Sequence, residues 1–180
     1  MYVFLNTGIL EDYKPVIDLR NGTYLISWNI NPILQEELVL KNSRFVKTGN
    51  MIPTGFYTWC SAVIDFVPTP NEVENLVFEY INSNTRDQIV NNFIWNGYSV
   101  NLSDENQRNY KAAFDLAMQT NGESLPVKFK FAKDGKTEYY VFTLVDELKD
   151  FYLKANKHIN TCLERGWAIK DNFVKSDYHI

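Results

Sequence analysis

Phe93-Ile94-Trp95-Asn96-Gly97-Tyr98, followed closely by Ser103-Asp104-Glu105, specifies a tight turn and the start of a helix. Asn96 and Gly97 lie between aromatic residues. A two-residue type I′ turn needs a positive φ at both central positions, which Asn and Gly tolerate best. Ser103 is a suitable N-cap, and the acids after it meet the positive end of the helix dipole. The stretch therefore predicts a hairpin and then a helix over 103–119 that Gly122 ends.

The composition is that of a folded chain without a catalytic or nucleic-acid signature. Hydrophobic residues make up 45% of the 180 residues and aromatic residues 15%, which argues against disorder. The net charge of −4 gives no basic patch for nucleic acid, so we expect no nucleic-acid partner. No apolar run approaches the roughly 20 residues needed to cross a bilayer, and the residues after Met1 do not resemble a signal peptide. We therefore expect no membrane association and synthesis in a cytoplasm.

Residues 1–70 are predicted to form an antiparallel β-rich region. Asn21-Gly22 separates two short apolar runs, 15–20 and 23–28, which is typical of a hairpin. Residues 31–50 show no clean period, so they are predicted to be a loop that allows a short strand at Leu38–Leu40. The β-branched and aromatic residues of 57–67 predict a further strand.

Pro68 and Pro70 mark the best boundary in the chain, because proline cannot continue a strand ladder. We therefore expect a β-rich region at 1–70 and an α+β domain at 71–180. Asn71 with Glu74 approximates a capping box, and the apolar spacing after it predicts a helix to about residue 92.

The rest of the second domain predicts a second hairpin and a last helix. Asp134-Gly135 lies between a strand over 125–131 and another over 138–142. Thr143 is predicted to cap a helix that Gly166 ends. The order helix, hairpin, helix, hairpin, helix favours an α+β fold over a doubly wound α/β fold.

Four pairs of adjacent acids are the candidates for acid–base chemistry. Neighbouring positions on a helix do not face one another, and two of the pairs fall in the first turn of a predicted helix, where acids are ordinary. Capping or solvation is therefore the expected role of all four, which are Glu11-Asp12, Glu36-Glu37, Asp104-Glu105 and Asp146-Glu147.

The other reactive side chains do not form a recognisable site. His158 and His179 lack nearby ligands at metal spacing, and His158 is expected to be a partly buried structural residue. Cys60 and Cys162 match no redox or ligand spacing and are expected to be free, buried thiols. The serines lack a nucleophile elbow; those considered are Ser27, Ser61, Ser99 and Ser124. We therefore predict no catalytic, cofactor-binding or metal-binding residues, and no enzyme.

Aromatic residues are the unusual class, with 4 Trp, 11 Tyr and 12 Phe. Such side chains bury large areas and keep a polar group, so they suit cores, subunit interfaces and sugar-stacking surfaces. Core and subunit packing is the expected use, with carbohydrate recognition as the alternative.

Residues Phe93–Ala117 resemble a phage and prophage domain of unknown function that is encoded near tail and fibre genes. The likeness consists of the aromatic-Asn-Gly hairpin, the run Ser-Asp-Glu-Asn-Gln-Arg-Asn-Tyr and the small-residue helix, and it extends over roughly 71–175. The opening Leu5-Asn6-Thr7-Gly8 and the run 17–24 are similar to versions carried by phages of gut Bacteroidetes, the crAss-like phages among them. Trp95, Asn96, Gly97 and Gln107 are the motif residues, and we interpret them as fold-defining.

The resemblance implies a non-enzymatic virion structural protein, a component or attachment point of a head or tail fibre. Its expected partners are copies of itself, as a homodimer or homotrimer, and other virion proteins of the capsid, fibre or tail. Made in the host bacterial cytoplasm, it would end in the virion. The alternatives are a receptor- or glycan-binding adhesin and a fibre-assembly chaperone.

Overall fold

The computed structural model describes residues 1–179 and shows an α+β chain with antiparallel sheets and three helices. The predicted fold class and the β-rich N-terminal region are thus confirmed. The chain forms two compact units, the first comprising Met1–Glu79 and the chain from Asp171 onward, the second Tyr80–Lys170. The division predicted at residues 70/71 precedes this boundary, which lies inside helix α1, Pro70–Asn91.

The first unit contains a four-stranded antiparallel sheet with the order β1-β4-β3-β2. The two central strands are far longer than the outer ones. The strands are β1 (Val3–Gly8), β2 (Val16–Asp18), β3 (Tyr24–Lys41) and β4 (Arg44–Ile64). The predicted hairpin around Asn21-Gly22 is confirmed, since β2 pairs with the start of β3.

The prediction of a loop over 31–50 is wrong. β3 and β4 run through this stretch and pair with one another as far as Lys41 and Arg44. Asn42 and Ser43 have φ values of 48° and 60°, so the pair forms a two-residue turn of the type I′ class. The sequence does not indicate these strands for two reasons. Asn-Ser is a weaker turn signal than Asn-Gly, and strand irregularities interrupt the alternation of apolar residues.

Buried side chains lie on both faces of the first sheet, since Ile26 and Trp28 share one face and Trp59 lies on the other with Ser27 and Ser61. Ile26, Trp28 and Trp59 are buried near its centre. The buried Ser27 and Ser61 hydroxyls lie 2.8 Å apart and form one hydrogen bond, and Ser61 Oγ also accepts from the Asn6 amide at 2.9 Å.

The C-terminal residues belong to this unit. The phenol of Tyr178 is buried and donates a 2.6 Å hydrogen bond to the Ser27 carbonyl oxygen. Phe173 stacks on Tyr178 with ring centroids 4.9 Å apart. Packing of Phe173 is thus found as expected, whereas the anchoring of Tyr178 had no sequence signal.

The second unit contains a second four-stranded sheet with the order β5-β6-β7-β8. Asn96-Gly97 and Asp134-Gly135 form its two tight turns, with positive φ at all four residues, as predicted. The strands are β5 (Phe93–Trp95), β6 (Tyr98–Val100), β7 (Val127–Lys133) and β8 (Lys136–Phe142).

Helices α2 (Asp104–Gln119) and α3 (Val145–Asp171) pack on this sheet around Trp95. The Trp95 ring lies 5.4 Å from Phe151 of α3, centroid to centroid, and its Nε1 donates to the Asp150 carboxylate at 3.0 Å. The turn residues therefore place the largest buried ring of the unit against its longest helix.

The N-cap of α2 is the one predicted, whereas its C-cap is Thr120, and the predicted Gly122 lies two residues beyond it. Ser103 accepts a hydrogen bond from the Asn106 backbone N–H, and the N–H of Gly122 donates to the Ala117 carbonyl at 2.8 Å. The Gln107 amide donates to the Leu102 carbonyl at 2.7 Å and ties the first turn to the preceding strand connection. The motif residue Gln107 is thus a structural anchor.

Two other helix ends differ from prediction. α1 is capped by Thr69, whose hydroxyl accepts a hydrogen bond from the Glu72 backbone N–H at 3.5 Å and donates one to the Glu72 carboxylate; Asn71 with Glu74 is not the cap. Pro70 accounts for this shift, because proline favours the first helical position. Gly166 lies inside α3 and does not end it. A Cβ there would lie 2.5 Å from Thr85 Oγ1, so this glycine serves a close helix contact.

Candidate functional site

One surface that the fold leaves exposed is a two-stranded segment, residues 33–56, which we call the β-ribbon. Here β3 and β4 pair only with each other, since β2 pairs with residues 24–26 and β1 with residues 57–62. Both backbone edges of the β-ribbon are therefore without a strand partner among the described residues. An isolated two-stranded ribbon is only marginally stable in water.

The β-ribbon exposes apolar side chains. Every residue from 40 to 51 is exposed, and Phe45 keeps 74% of its surface accessible. Leu40 pairs with Phe45 across the ladder and lies on the same face as Leu38, so three large apolar groups are adjacent. Adjacent exposed apolar groups of this kind mark interaction surfaces.

The two edges of the β-ribbon differ in regularity. Between the pairs Leu38↔Lys47 and Glu36↔Met51, β3 advances two residues and β4 advances four. The extra β4 residues include Gly49, with φ of +81°. A similar excess near Gly55 makes β4 irregular twice, whereas β3 is regular from Pro32 to Lys41.

Glu37 holds the first of these irregularities in place. Its Oε2 accepts hydrogen bonds from the Thr48 hydroxyl at 2.9 Å and from the Asn50 amide at 3.1 Å. The bond from Asn50, then that from Thr48, lowers the pKa of the Glu37 carboxyl. The neighbouring Glu36 pairs with Lys47 at 2.7 Å. Of the four acid pairs, this one lies in a strand.

A second surface feature is a groove of about 340 Å³ within the second unit, which we call the α2–α3 groove. Its walls combine apolar, amide and cationic groups, including Tyr110, Tyr152, Gln107, Asn156, Arg108 and Lys111. Burial raises the pKa of Tyr110 to about 12, so its phenol is neutral at ordinary pH. Tyr152 stacks on Phe114, with centroids 4.5 Å apart, at the same helix pair.

The remaining acid pairs lie where helix starts or turns require acids. Asp104-Glu105 and Asp146-Glu147 fall in the first turns of α2 and α3. Glu147 also accepts a hydrogen bond from the Tyr140 hydroxyl, which raises the pKa of that phenol to about 12. Asp12 accepts from the Ile9 N–H at 3.0 Å in a short 3-10 turn.

His158 and the cysteines occupy structural places. His158 is half-buried, and its Nε2 donates to the Gln88 carbonyl at 3.1 Å. Cys162 is buried and Cys60 half-buried, and both are free. Burial raises the pKa of each thiol, which opposes formation of a reactive thiolate. Of the serines, Ser27 and Ser61 form the buried pair in the first sheet, Ser99 lies in β6 and Ser124 follows α2.

Within residues 1–179, no three side chains among His, Cys, Asp and Glu are gathered as a metal site. None of the helices in that range has the length and apolar character that a membrane crossing requires.

The β-ribbon is the functional candidate that sequence reasoning missed. The sequence predicts only a short strand at Leu38–Leu40. Pro32 and the irregular β4 strand hide the signal that β3 continues through the whole β-ribbon. Of the four tryptophans, Trp28, Trp59 and Trp95 are buried while Trp167 is exposed, as the core-packing interpretation expects for most of them.

The arrangement defines a two-unit chain with an uncovered β-ribbon. The chain belongs to the family described as Domain of unknown function (DUF4376), whose model matches residues 72–179. The match covers the three helices and the second sheet, and the β-ribbon lies outside it. No curated protein and no solved structure matches the chain.

Proposed function

We propose that this chain is a non-enzymatic bacteriophage virion protein, a component or attachment point of a head or tail fibre. The observation that carries the proposal is the β-ribbon, with apolar side chains and two unpaired edges that its own fold leaves exposed. Such a surface suits a protein that works by assembly, because burying it stabilises the complex.

The phage setting comes from the resemblance of residues 71–175 to a domain encoded near tail and fibre genes, in the version of Bacteroidetes phages. The family match to residues 72–179 agrees with the extent of that likeness. In this proposal the helix-hairpin-helix-hairpin-helix domain, 71–180, carries the family features, and the N-terminal region makes the contacts with other virion proteins.

The proposal is tested by measuring which proteins are present in purified particles of the phage whose genome encodes this chain. Quantitative mass spectrometry is expected to find the chain at a fixed copy number per particle, and immunogold labelling should place it at fibres. A chain abundant in the lysate but missing from particles would contradict the structural role and support the chaperone.

A second candidate function, glycan binding, is favoured by the α2–α3 groove. Tyr152, which is only partly buried, lies there beside amide and cationic groups, and proteins bind sugars with such groups by stacking and hydrogen bonding. A glycan array with the wild-type chain and with Asn156→Ala tests it. Binding that the substitution abolishes would establish an adhesin, and an array without signal would reject it.

A further inference from the structure

We propose that the β3 edge of the β-ribbon pairs, antiparallel, with the same edge of a second copy of this chain, with the two Val39 residues opposite each other. This inference rests on the proposed function and deepens it, because it names the first partner of the β-ribbon. The result is a two-fold symmetric dimer with a continuous sheet in the order β4-β3-β3-β4.

Regularity selects the β3 edge over the β4 edge. β3 has no bulge from Pro32 to Lys41, and the residues between these two include neither glycine nor proline. The β4 edge is interrupted at Gly49 and Gly55, and Pro53 lacks the N–H that a new strand would need. Bulges and prolines are the usual means of blocking an edge.

Charge selects the same edge. The β4 side of the β-ribbon, residues 44–56, carries Arg44 and Lys47 and no acidic residue, so two copies paired there would bring like charges together. The β3 side carries Glu36 and Glu37 near Lys41. The β3 edge therefore carries both charges needed for ion pairs between two copies of the chain.

The hydrogen-bonding phase follows from the turn. In a two-residue hairpin the flanking pair, Lys41 and Arg44, exchanges its backbone hydrogen bonds, and pairs alternate from there. The N–H and C=O groups of Leu40 and Leu38 consequently point away from β4. These are the groups that a second β3 strand would meet.

The register follows from phase and charge together. Centring the two-fold on Val39 puts Leu38 opposite Leu40 of the second copy, where the outward groups of both exchange hydrogen bonds. The same register puts Glu37 opposite Lys41 of the second copy, twice by symmetry. Centring on residue 37 would oppose two glutamates, and centring on Leu38 would put Lys41 opposite the uncharged Gln35.

The pairing also serves the apolar face. Leu40 would lie between Phe45 of its own chain and Leu38 of the second copy, in place of its present edge position, in which 64% of its surface is exposed. Two marginal ribbons would become a four-stranded sheet with six apolar side chains on one face, which meets the requirement for independent stability.

Disulfide trapping tests the register on the full chain. Val39→Cys places two thiols in a non-hydrogen-bonded pair, where Cβ atoms lie about 5 Å apart. The matched control is Val46→Cys, directly opposite on β4, because its two copies would lie about 14 Å apart across three strand spacings. Mild oxidation is expected to give a covalent dimer of Val39→Cys but not of Val46→Cys. The wild type, oxidised in the same way, shows whether Cys60 or Cys162 crosslinks.

Charge reversal gives a second, independent measurement. Lys41→Glu would oppose Glu37 of the second copy and should raise the dimer dissociation constant by about tenfold or more in sedimentation experiments. Arg44→Glu, the neighbour across the turn on β4, should leave it within about threefold. A wild type that stays monomeric, a Val39→Cys chain that does not crosslink, or equal crosslinking at position 46 would overturn the proposal.

The outcomes separate the two proposals. A monomeric chain found in purified particles would overturn the dimer and leave the virion function standing. A chain that dimerises in this register but is absent from purified particles would overturn the virion function and leave the dimer standing.

Discussion

Gly166 is the residue at which local preference and tertiary packing disagree most clearly. Its spacing after an apolar stripe and its low helix propensity predict a helix end, yet α3 continues to Asp171. Thr85 of α1 approaches so closely that a side chain at position 166 would meet its hydroxyl. The glycine is thus explained by a contact that the sequence of α3 alone does not show.

Gly166→Ala is expected to lower the free energy of unfolding by about 0.5–2 kcal/mol, because an overpacking cost of about 1–3 kcal/mol against Thr85 outweighs a propensity gain of at most about 1 kcal/mol. Urea unfolding measures the change. In a Thr85→Ala background the same substitution should be neutral or stabilising, since the opposing hydroxyl is gone. An equal cost in both backgrounds would show that the two residues are not coupled.

Tyr110 gives the pH dependence of stability. Burial raises the pKa of its phenol from 10.0 to about 12 in the folded chain. The folded state therefore holds this proton where the unfolded state releases it, so its stabilising contribution is complete below pH 10 and is lost as the pH rises to 12.

Tyr110→Phe is expected to cost about 1 kcal/mol at neutral pH, because the hydroxyl donates to the Asn101 carbonyl at 3.3 Å. Between about pH 9 and about pH 11 the variant should lose less stability than the wild type, as one titrating proton is absent. Urea titrations at the two pH values measure this difference. An unchanged pH dependence would show that Tyr110 ionises normally in the fold.

At the scale of elements, the two kinds of tight turn explain which hairpins the sequence could predict. Asn96-Gly97 and Asp134-Gly135 each combine a residue tolerant of positive φ with glycine, and both hairpins were predicted with their strands. Asn42-Ser43 has the same backbone conformation with a serine at φ of 60°, and its sequence does not predict a hairpin. Serine at this position is strained by roughly 1 kcal/mol relative to glycine.

Ser43→Gly is accordingly expected to stabilise the β-ribbon by about 0.5–1 kcal/mol. Hydrogen exchange of the amides of Val39 and Val46 should slow by a few-fold, because opening of the hairpin becomes less frequent. Ser43→Ala is the control, since it removes the hydroxyl but keeps the Cβ. Faster exchange in Ser43→Gly than in the wild type would contradict the assignment of the turn.

At the scale of the whole molecule, the β-ribbon can be separated from the buried cores. The buried residues of the first sheet, among them Trp28, Trp59 and Ile64, lie outside residues 33–56, and the second unit has a core of its own. Asn31 and Thr58 face each other just beyond the β-ribbon and can flank a two-residue turn, whereas Pro32 has no N–H with which to exchange hydrogen bonds with Tyr57.

Replacing residues 32–57 by Asn-Gly is expected to leave the fold intact and to abolish self-association. Circular dichroism and thermal unfolding should show an unchanged helical content and a melting temperature within a few degrees, because no core residue is removed. Sedimentation should show a monomer at every concentration. A shortened chain that unfolds would mean that the β-ribbon supports the first sheet; one that still dimerises would place the interface elsewhere.

Asn-Gly and Asp-Gly turns, N-caps and apolar periods act within a few residues of one another, so the sequence predicts the two hairpins of the second sheet, the N-cap of α2 and the α+β class. Three features appear only in the tertiary structure: the contact of Gly166 with Thr85, the anchoring of Tyr178 and the extent of β3 and β4. Each of these depends on residues far apart in the chain, as when Leu38 pairs with Lys47 across an irregular strand. The turn and helix within residues 93–122 can therefore be predicted from neighbouring residues. The β-ribbon, the candidate functional surface, forms only when β3 and β4 pair in the right register.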